Sequence, residues 1–291
     1  MKLEKIYDKH YKKLILIPLA LFIIAIIILS ISQMTKGSVV NLDVNLKGGL
    51  EANINKEVNF NEVQDYLTNS FEDVSVRELK NPITGKTNGI NIKVSNINEE
   101  QLRDVLSKKI NINFDDSNEY SVGFTEGDFA TSTYKSLILV LIIGFILMGL
   151  VVFISFRTFI PSITVVSAAL MDVIITMAII SITGIKLGEG GIVALLLIIA
   201  YSIDTDILLT TRMLKRKQDN MYVRMESSIK TGLTMTVTTI FALLAAYFIV
   251  FNPVLKQIFL IIIIACFIDI LTTYLSNGSI LVWYMKKKGL S

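Results

Sequence analysis

Six apolar runs, each close to twenty residues or longer, lie near 14–33, 135–156, 159–183, 190–211, 231–252 and 257–284. A helix of roughly 20 apolar residues crosses the ~30 Å hydrocarbon core of a bilayer. Inside that core every backbone polar group must be satisfied by the chain itself, which leaves helices and closed barrels as the only spanning structures. With 52% hydrophobic residues, the chain reads as an integral membrane protein. The first run follows Lys9, His10, Lys12 and Lys13, and Ser30 to Ser32 resembles a signal-peptidase site. Its apolar stretch exceeds a typical signal-peptide core, so an uncleaved anchor is expected.

The short basic flanks give an orientation. Five lysines precede the first run, Arg157 joins the second and third, "RMLKRK" and Arg224 lie between the fourth and fifth, and "KKK" follows the sixth. All four groups share one side if both termini are cytoplasmic. Residues 34–134 then lie outside, as do "GIKLGEGG" and "NPVLK", with Glu189 a solvated residue between two turn-forming glycines. The expected division is a cytoplasmic N-terminus at 1–13, a first span at 14–33, an outer domain at 34–134 and a five-helix membrane domain at 135–291.

Residues 34–134 carry a different pattern. "LEANINK" reads as a strand, and Val63, Leu67 and Phe71 have helical spacing. "DVSVREL" and "GINIKVS" alternate as strands about the turn-rich "NPITGKTNG". Leu102, Leu106 and Ile110 recur every four residues, and "EYSVGF" is a last strand. The order β-α-β-β-α-β is that of a ferredoxin-like, split-βαβ domain. The expected fold class is therefore a polytopic α-helical membrane protein with six transmembrane helices, plus a small α+β ferredoxin-like domain between the first and second. Gly48 and Gly49 precede the first strand and permit a tight hinge to this domain, or merely a flexible joint. The segment "NMYVRMESSIKTG" reads either as a helix lying at the membrane surface or as an extension of the fifth span.

Four aspartates lie inside the apolar runs: Asp172, Asp204, Asp206 and Asp269. An ionised aspartate at a helix centre costs about 2.5–3.5 kcal/mol on insertion scales, so such acids face the bundle interior and find partners. Asp204 and Asp206 stand about 200° apart around their helix and cannot share a face. Arg212 is on the stripe of Asp204 but about 12 Å along the helix, out of reach of a direct ion pair. Ser202, Thr205, Thr210 and Thr211, with Thr231, Thr234, Thr236, Thr238 and Thr239 of the fifth run, add hydroxyls. Acids among hydroxyls form a proton or ion relay where water reaches them. The same groups also serve as interhelical hydrogen-bond links. Asp172, Asp204 and Asp206 are the relay candidates, with Asp269, Thr205 and Arg212 weaker ones. Ser167, Ala168, Ala169 and Ala200 permit close helix approach beside these acids.

The basic residues cluster beside apolar runs, without interleaved aromatics, so nucleic acid is not an expected partner. The single Cys266 and single His10 offer no internal disulfide, Cys/His metal cluster or Cys–His nucleophile. No cofactor is expected.

One span, a ferredoxin-like outer domain and five further spans, with "LMDVIIT" in the third and "IIAYSIDTDILLTTR" in the fourth, resembles the SecF family of the prokaryotic protein-export machinery, in its archaeal branch. "LKGGLEA" matches the glycine pair that this family carries after its first span. The resemblance covers nearly the whole chain. It implies a non-enzymatic export accessory subunit that pairs with the homologous six-span SecD in a twelve-span unit of the resistance-nodulation-division type. It also implies work beside the SecY channel on exported polypeptides, in contact with membrane lipid. In bacterial members it implies coupling to the proton-motive force. The bacterial fourth span reads Tyr-Ser-Ile-Asn-Asp-Thr; here Thr205 takes the aspartate position and acids flank it, while a bacterial arginine of the fifth span aligns with Met235. Those bacterial roles do not carry over residue by residue. A half-size exporter of small molecules or lipids and an uncoupled structural scaffold are the alternative readings.

Overall fold

Proline and glycine punctuate a mostly helical chain. The computed structural model describes residues 2–36, 38–56, 58–71, 74–80, 86–95, 97–110, 112–125, 127–215 and 220–289. Residues 81–85 of the turn-rich stretch and 216–217 of the basic loop fall outside these, as does the Glu189 side chain. The first helices are α1 (Lys2–Leu14) and α2 (Leu16–Lys36). They part at Ile15, where Pro18 has no N–H to give the Leu14 carbonyl. Then come α3 (Val44–Lys47), β1 (Gly49–Ile54), α4 (Phe60–Ser70), β2 (Val74–Lys80), β3 (Thr87–Val94), α5 (Glu99–Ser107) and β4 (Tyr120–Thr125). The remaining helices are α6 (Gly127–Phe156), α7 (Phe159–Thr183), α8 (Glu189–Lys215), α9 (Met221–Ile249), α10 (Pro253–Leu271), a π-helical segment (Thr272–Asn277) and α11 (Gly278–Lys288).

Among the described residues six helical stretches are long and apolar enough to cross a membrane, the last running through α10, the π segment and α11. The protein is a multi-pass membrane protein. The chain divides into two units: Met1–Asn41, Leu139–Ile249 and Val254–Ser291 form one, and Leu42–Ile138 with Val250–Pro253 the other.

In the second unit the four strands form one antiparallel sheet in the order β2-β3-β1-β4, the split-βαβ plan. Alternation sorts the side chains. Leu50, Ala52, Ile54, Ile90, Ile92 and Val94 pack in one core with Val63 and Leu67 of α4 and Leu102 and Leu106 of α5. The opposite face carries polar partners: Asn91 Nδ2 donates to Glu51 at 2.7 Å and to Asn53 at 2.6 Å. Gly48 adopts φ 85 directly after α3, a conformation only glycine takes freely. Gly49 opens β1 opposite Thr125. The glycine pair thus sits within this unit, seven residues or so beyond Asn41, where the chain passes between the units.

In the first unit α7 packs against α2, α8 and the π segment. Its small residues Ala168 and Ala169 are fully buried. Between α2 and α7, Ala25 packs with Ala178 and Ile175, and Ser181 meets Ser32 at 3.2 Å. The helix α9 starts at Met221 without a break, so "NMYVRMESSIKTG" extends the fifth span. Met221, Tyr222 and Met225 hold it there, buried with Leu209, Met213, Leu281 and Tyr7 in an aromatic and methionine cluster at the basic end of the unit.

The sheet core of the second unit is small, and a domain of this size is marginally stable. Leu106→Ala, at a position 1% exposed, is expected to cost about 2–5 kcal/mol. Limited proteolysis of the full chain checks it: cleavage within residues 42–138 rises sharply while the helical unit stays intact. Unchanged cleavage would mean that this core does not hold the domain.

Candidate functional site: a buried acid cluster

Three of the four aspartates converge on the interior of the helical unit. Asp172 of α7 and Asp206 of α8 are fully buried, and Asp269 of α10 is 7% exposed. Each takes hydrogen bonds from another helical segment, which is what hydrocarbon demands of a polar group that cannot reach water.

Asp172 accepts from Ser202 Oγ of α8 at 2.5 Å and from Thr272 Oγ1 at the start of the π segment. Thr205 Oγ1 of α8 stands 3.0 and 3.1 Å from the two Asp269 oxygens. Thr273 donates to Asp269 at 3.0 Å from one turn further along. Asn277, the last residue of the π segment, donates its amide N–H to Asp206 Oδ1 at 2.6 Å. Asp206 Oδ2 and Asn277 Oδ1 find no donor among the described residues. Both are acceptors, so they cannot satisfy each other without a proton.

Helix geometry explains the arrangement. Ser202, Thr205, Asp206 and Leu209 fall on the buried face of α8 at spacings of three and four, so one face presents two hydroxyls and one carboxyl to its neighbours. The π segment spreads Thr272, Thr273 and Asn277 towards three different acids. Such wide turns occur preferentially at functional sites.

Asp204 points elsewhere. It is exposed on the protein surface and lines a partly open cavity of about 110 Å³ with Thr205, Thr236, Thr239, Cys266 and Asp269. Asp269 borders both this cavity and the buried cluster, and Thr205 joins the two. Met235 lines the same cavity. Among the described lining residues there is no lysine or arginine.

Arg212 is engaged away from the acids. Its guanidinium donates to Ser227 O at 2.8 Å, Ser227 Oγ at 3.0 Å and Thr231 Oγ1 at 2.9 Å, fastening α8 to α9. The hydroxyls of Thr234, Thr236 and Thr238 donate to carbonyls one turn back on their own helix. The hydroxyls that reach the acids come from Ser202 and Thr205 and from Thr272 and Thr273. The last two and Asn277 were not singled out from the sequence. Their signal was available in "DILTTYLSN", which places polar side chains three, four and eight residues after Asp269.

The Asp206–Asn277 contact is the simplest to test. Asn277→Ala leaves a buried carboxyl without its donor and is expected to cost about 1–3 kcal/mol. In a cycle with Asp206→Ala, unfolding of the full chain in bicelles should give a coupling of about 0.5–1.7 kcal/mol. Additive losses would show that the two side chains do not depend on each other.

Comparison with known proteins bears on this geometry. The family model described as "Protein export membrane protein SecD/SecF, C-terminal" matches residues 105–287. The protein-export membrane protein SecF of Methanolacinia petrolearia is 32% identical over 282 residues, 96% of this chain and 95% of that protein. SecF of Methanocaldococcus jannaschii is likewise 32% identical, covering 95% of this chain and 96% of its own. Among solved structures, SecDF of Thermus thermophilus, described as a translocon-associated membrane protein, is similar with a TM-score of 0.67 at 16% identity over 96% of this chain. SecDF in its super-membrane-facing form gives 0.56 at 18% identity over 94%. The chain spans 38% of the length of each of those SecDF chains. These similarities cover the helical unit with its acids and the outer sheet alike, and the chain belongs to the SecD/SecF family of protein-export membrane proteins.

Proposed function

We propose that this protein is the SecF-type subunit of a two-part export accessory, pairing with a SecD-like protein beside the SecY channel to assist exported polypeptides across the membrane. The observation that carries the reading is the SecF similarity along 96% of this chain and 95% of the relative, beside a fold likeness to SecDF, of which the match covers 38%. Asp204 supports this: an acid exposed to lipid on α8 costs about 2.5–3.5 kcal/mol unless something covers it. The face bearing Asp204, Tyr201 and Met235 is where a SecD-like partner is expected to dock. Both termini are assigned to the cytoplasm and residues 34–134 to the outside, on the positions of the short basic loops. Gly48 and Gly49 lie inside the outer domain, where they form the turn that leads into β1. The subunit acts without enzymatic chemistry of its own.

Asp172, Asp206 and Asp269, with Asp204 at the cavity, form the ion-responsive group of this proposal. Thr205 links the two sets, and Arg212 serves to join α8 and α9. Movement of one charge through 100 mV is worth about 2.3 kcal/mol, enough to bias a conformational step by about fifty-fold. The scaffold reading is favoured by a different fact: Asp172, Asp206 and Asp269 are each bonded to another helical segment, as interhelical links would be.

Export in cells whose only copy carries Asp204→Asn with Asp206→Asn separates the two, with membrane level and partner association measured alongside. A tenfold or greater fall in export, with both controls intact, is the expected result. Unchanged export would leave the acids as packing groups and the subunit as a scaffold. If purification from native membranes brings down no SecD-like protein and depletion leaves secretion intact, the export reading itself fails.

A further inference from the structure

The π segment presents the side chains that hold all three buried acids, and its own hydrogen bonding is completed from outside its helix. In an α-helix the Gly278 amide would bond to the Tyr274 carbonyl, four residues back. Here it reaches five back, to the Thr273 carbonyl. The Tyr274 carbonyl accepts instead from the hydroxyl of Tyr7, at 2.9 Å, in a buried contact between α1 and the π segment. A buried carbonyl deprived of its helical donor is costly unless another donor is supplied.

The helix α1 is held in place for this contact. Asp8, next to Tyr7, accepts from the Tyr222 hydroxyl of α9 at 2.7 Å and from Lys286 Nζ of α11 at 2.6 Å. Lys286 also lies over the Tyr11 ring, 5.0 Å from its centroid. Two residues of α1 therefore tie it to three other segments of the basic end.

The register matters for one acid above the others. Winding the segment as α-helix takes the extra residue of the wide turn into the regular helix and displaces everything beyond it by one residue, a rotation of about 100° and a shift of about 1.5 Å. Thr272 and Thr273 open the segment and would stay close to Asp172 and Asp269. Asn277 closes it and would swing away from Asp206.

We propose that Tyr7 is a positioning residue: its hydroxyl holds Thr272–Asn277 in the π-helical register and, through Asn277, holds Asp206 in its present hydrogen bond. Docking of the N-terminal helix at the basic end thereby sets the state of the acid cluster. Only the consequence for export rests on the function proposed above; the register is a property of the chain.

The test uses the full chain in lipid vesicles and reads the infrared stretch of the Asp206 carboxyl group, assigned by its loss in Asp206→Asn. Asn277→Ala supplies the band position of Asp206 without its amide partner. Tyr7→Phe keeps the ring and removes the hydroxyl. It should move the band towards the Asn277→Ala position, with the bonded fraction reduced roughly 2- to 10-fold, the worth of one net hydrogen bond. Tyr284→Phe, which removes a hydroxyl from the same aromatic cluster, should leave the band unmoved. An unmoved band in Tyr7→Phe overturns the proposal, whatever happens to protein level. An equal shift in Tyr284→Phe also overturns it, since the effect would then be general loosening. Because the band is read on purified protein, a finding that depletion of the chain leaves secretion intact would remove the export reading without touching this one.

Discussion

Hydrocarbon supplies no hydrogen-bond partner, and a polar side chain on a membrane-spanning helix must find one within the protein or leave the membrane interior. In this chain that constraint acts on three helical segments at once. Asp172 needs α8 and the π segment, Asp269 needs α8, and Asp206 needs the π segment. Each acid thereby fixes the rotation of its own helix about its axis and the height of its neighbour. Single interhelical hydrogen bonds in membranes are worth only about 0.6 kcal/mol on average, with a maximum near 1.7. The arrangement is specific because several converge on one place while Ala168 and Ala169 let the backbones approach.

The same constraint gives α8 two different surfaces. Asp206 and Asp204 are two residues apart and face about 200° away from each other, so no rotation of α8 could bury both in one cluster. Asp206 is taken by the bundle, and Asp204 is left at a cavity on its outside. Thr205 lies between them in sequence and in space, bonded to Asp269 while lining the cavity beside Asp204. A change at the outer face has a short polar path to the inner one through this residue and Asp269.

The sequence made the large features legible because each rests on a strong, local signal. Long apolar runs predict spans, and α7 occupies the run at 159–183 residue for residue. Alternation and four-residue spacing in 50–124 predict the strands and helices that form the outer sheet domain. The finer features depend on tertiary choices that periodicity does not carry. Nothing in "LTTYLSN" marks a π-helical turn, because the wide turn is stabilised by Tyr7, some 267 residues away in sequence. The threonines of the fifth run are as numerous as a relay would want, yet four of them bond back onto their own helix. Asp269 could not be ranked against the other acids by its neighbours in sequence, since what distinguishes it is Thr205 on another helix.

The chemical character of the partners limits what the cluster can be. Had lysine or arginine neutralised the acids, removing either partner would leave a buried charge at a cost of about 3–5 kcal/mol, and the pair would be locked. Serine and threonine hydroxyls both donate and accept, and an asparagine amide offers a donor and an acceptor side by side. A carboxylate can take their protons, and a carboxylic acid can give them one, with small rotations and no rearrangement of helices. Asp206 Oδ2 and the Asn277 oxygen, neither of which has a hydrogen-bond partner among the described residues, are the clearest instance of acceptors left open beside one another. In the proposed ion-responsive reading, such partners would let the cluster change charge in the membrane interior, which fixed ion pairs would resist.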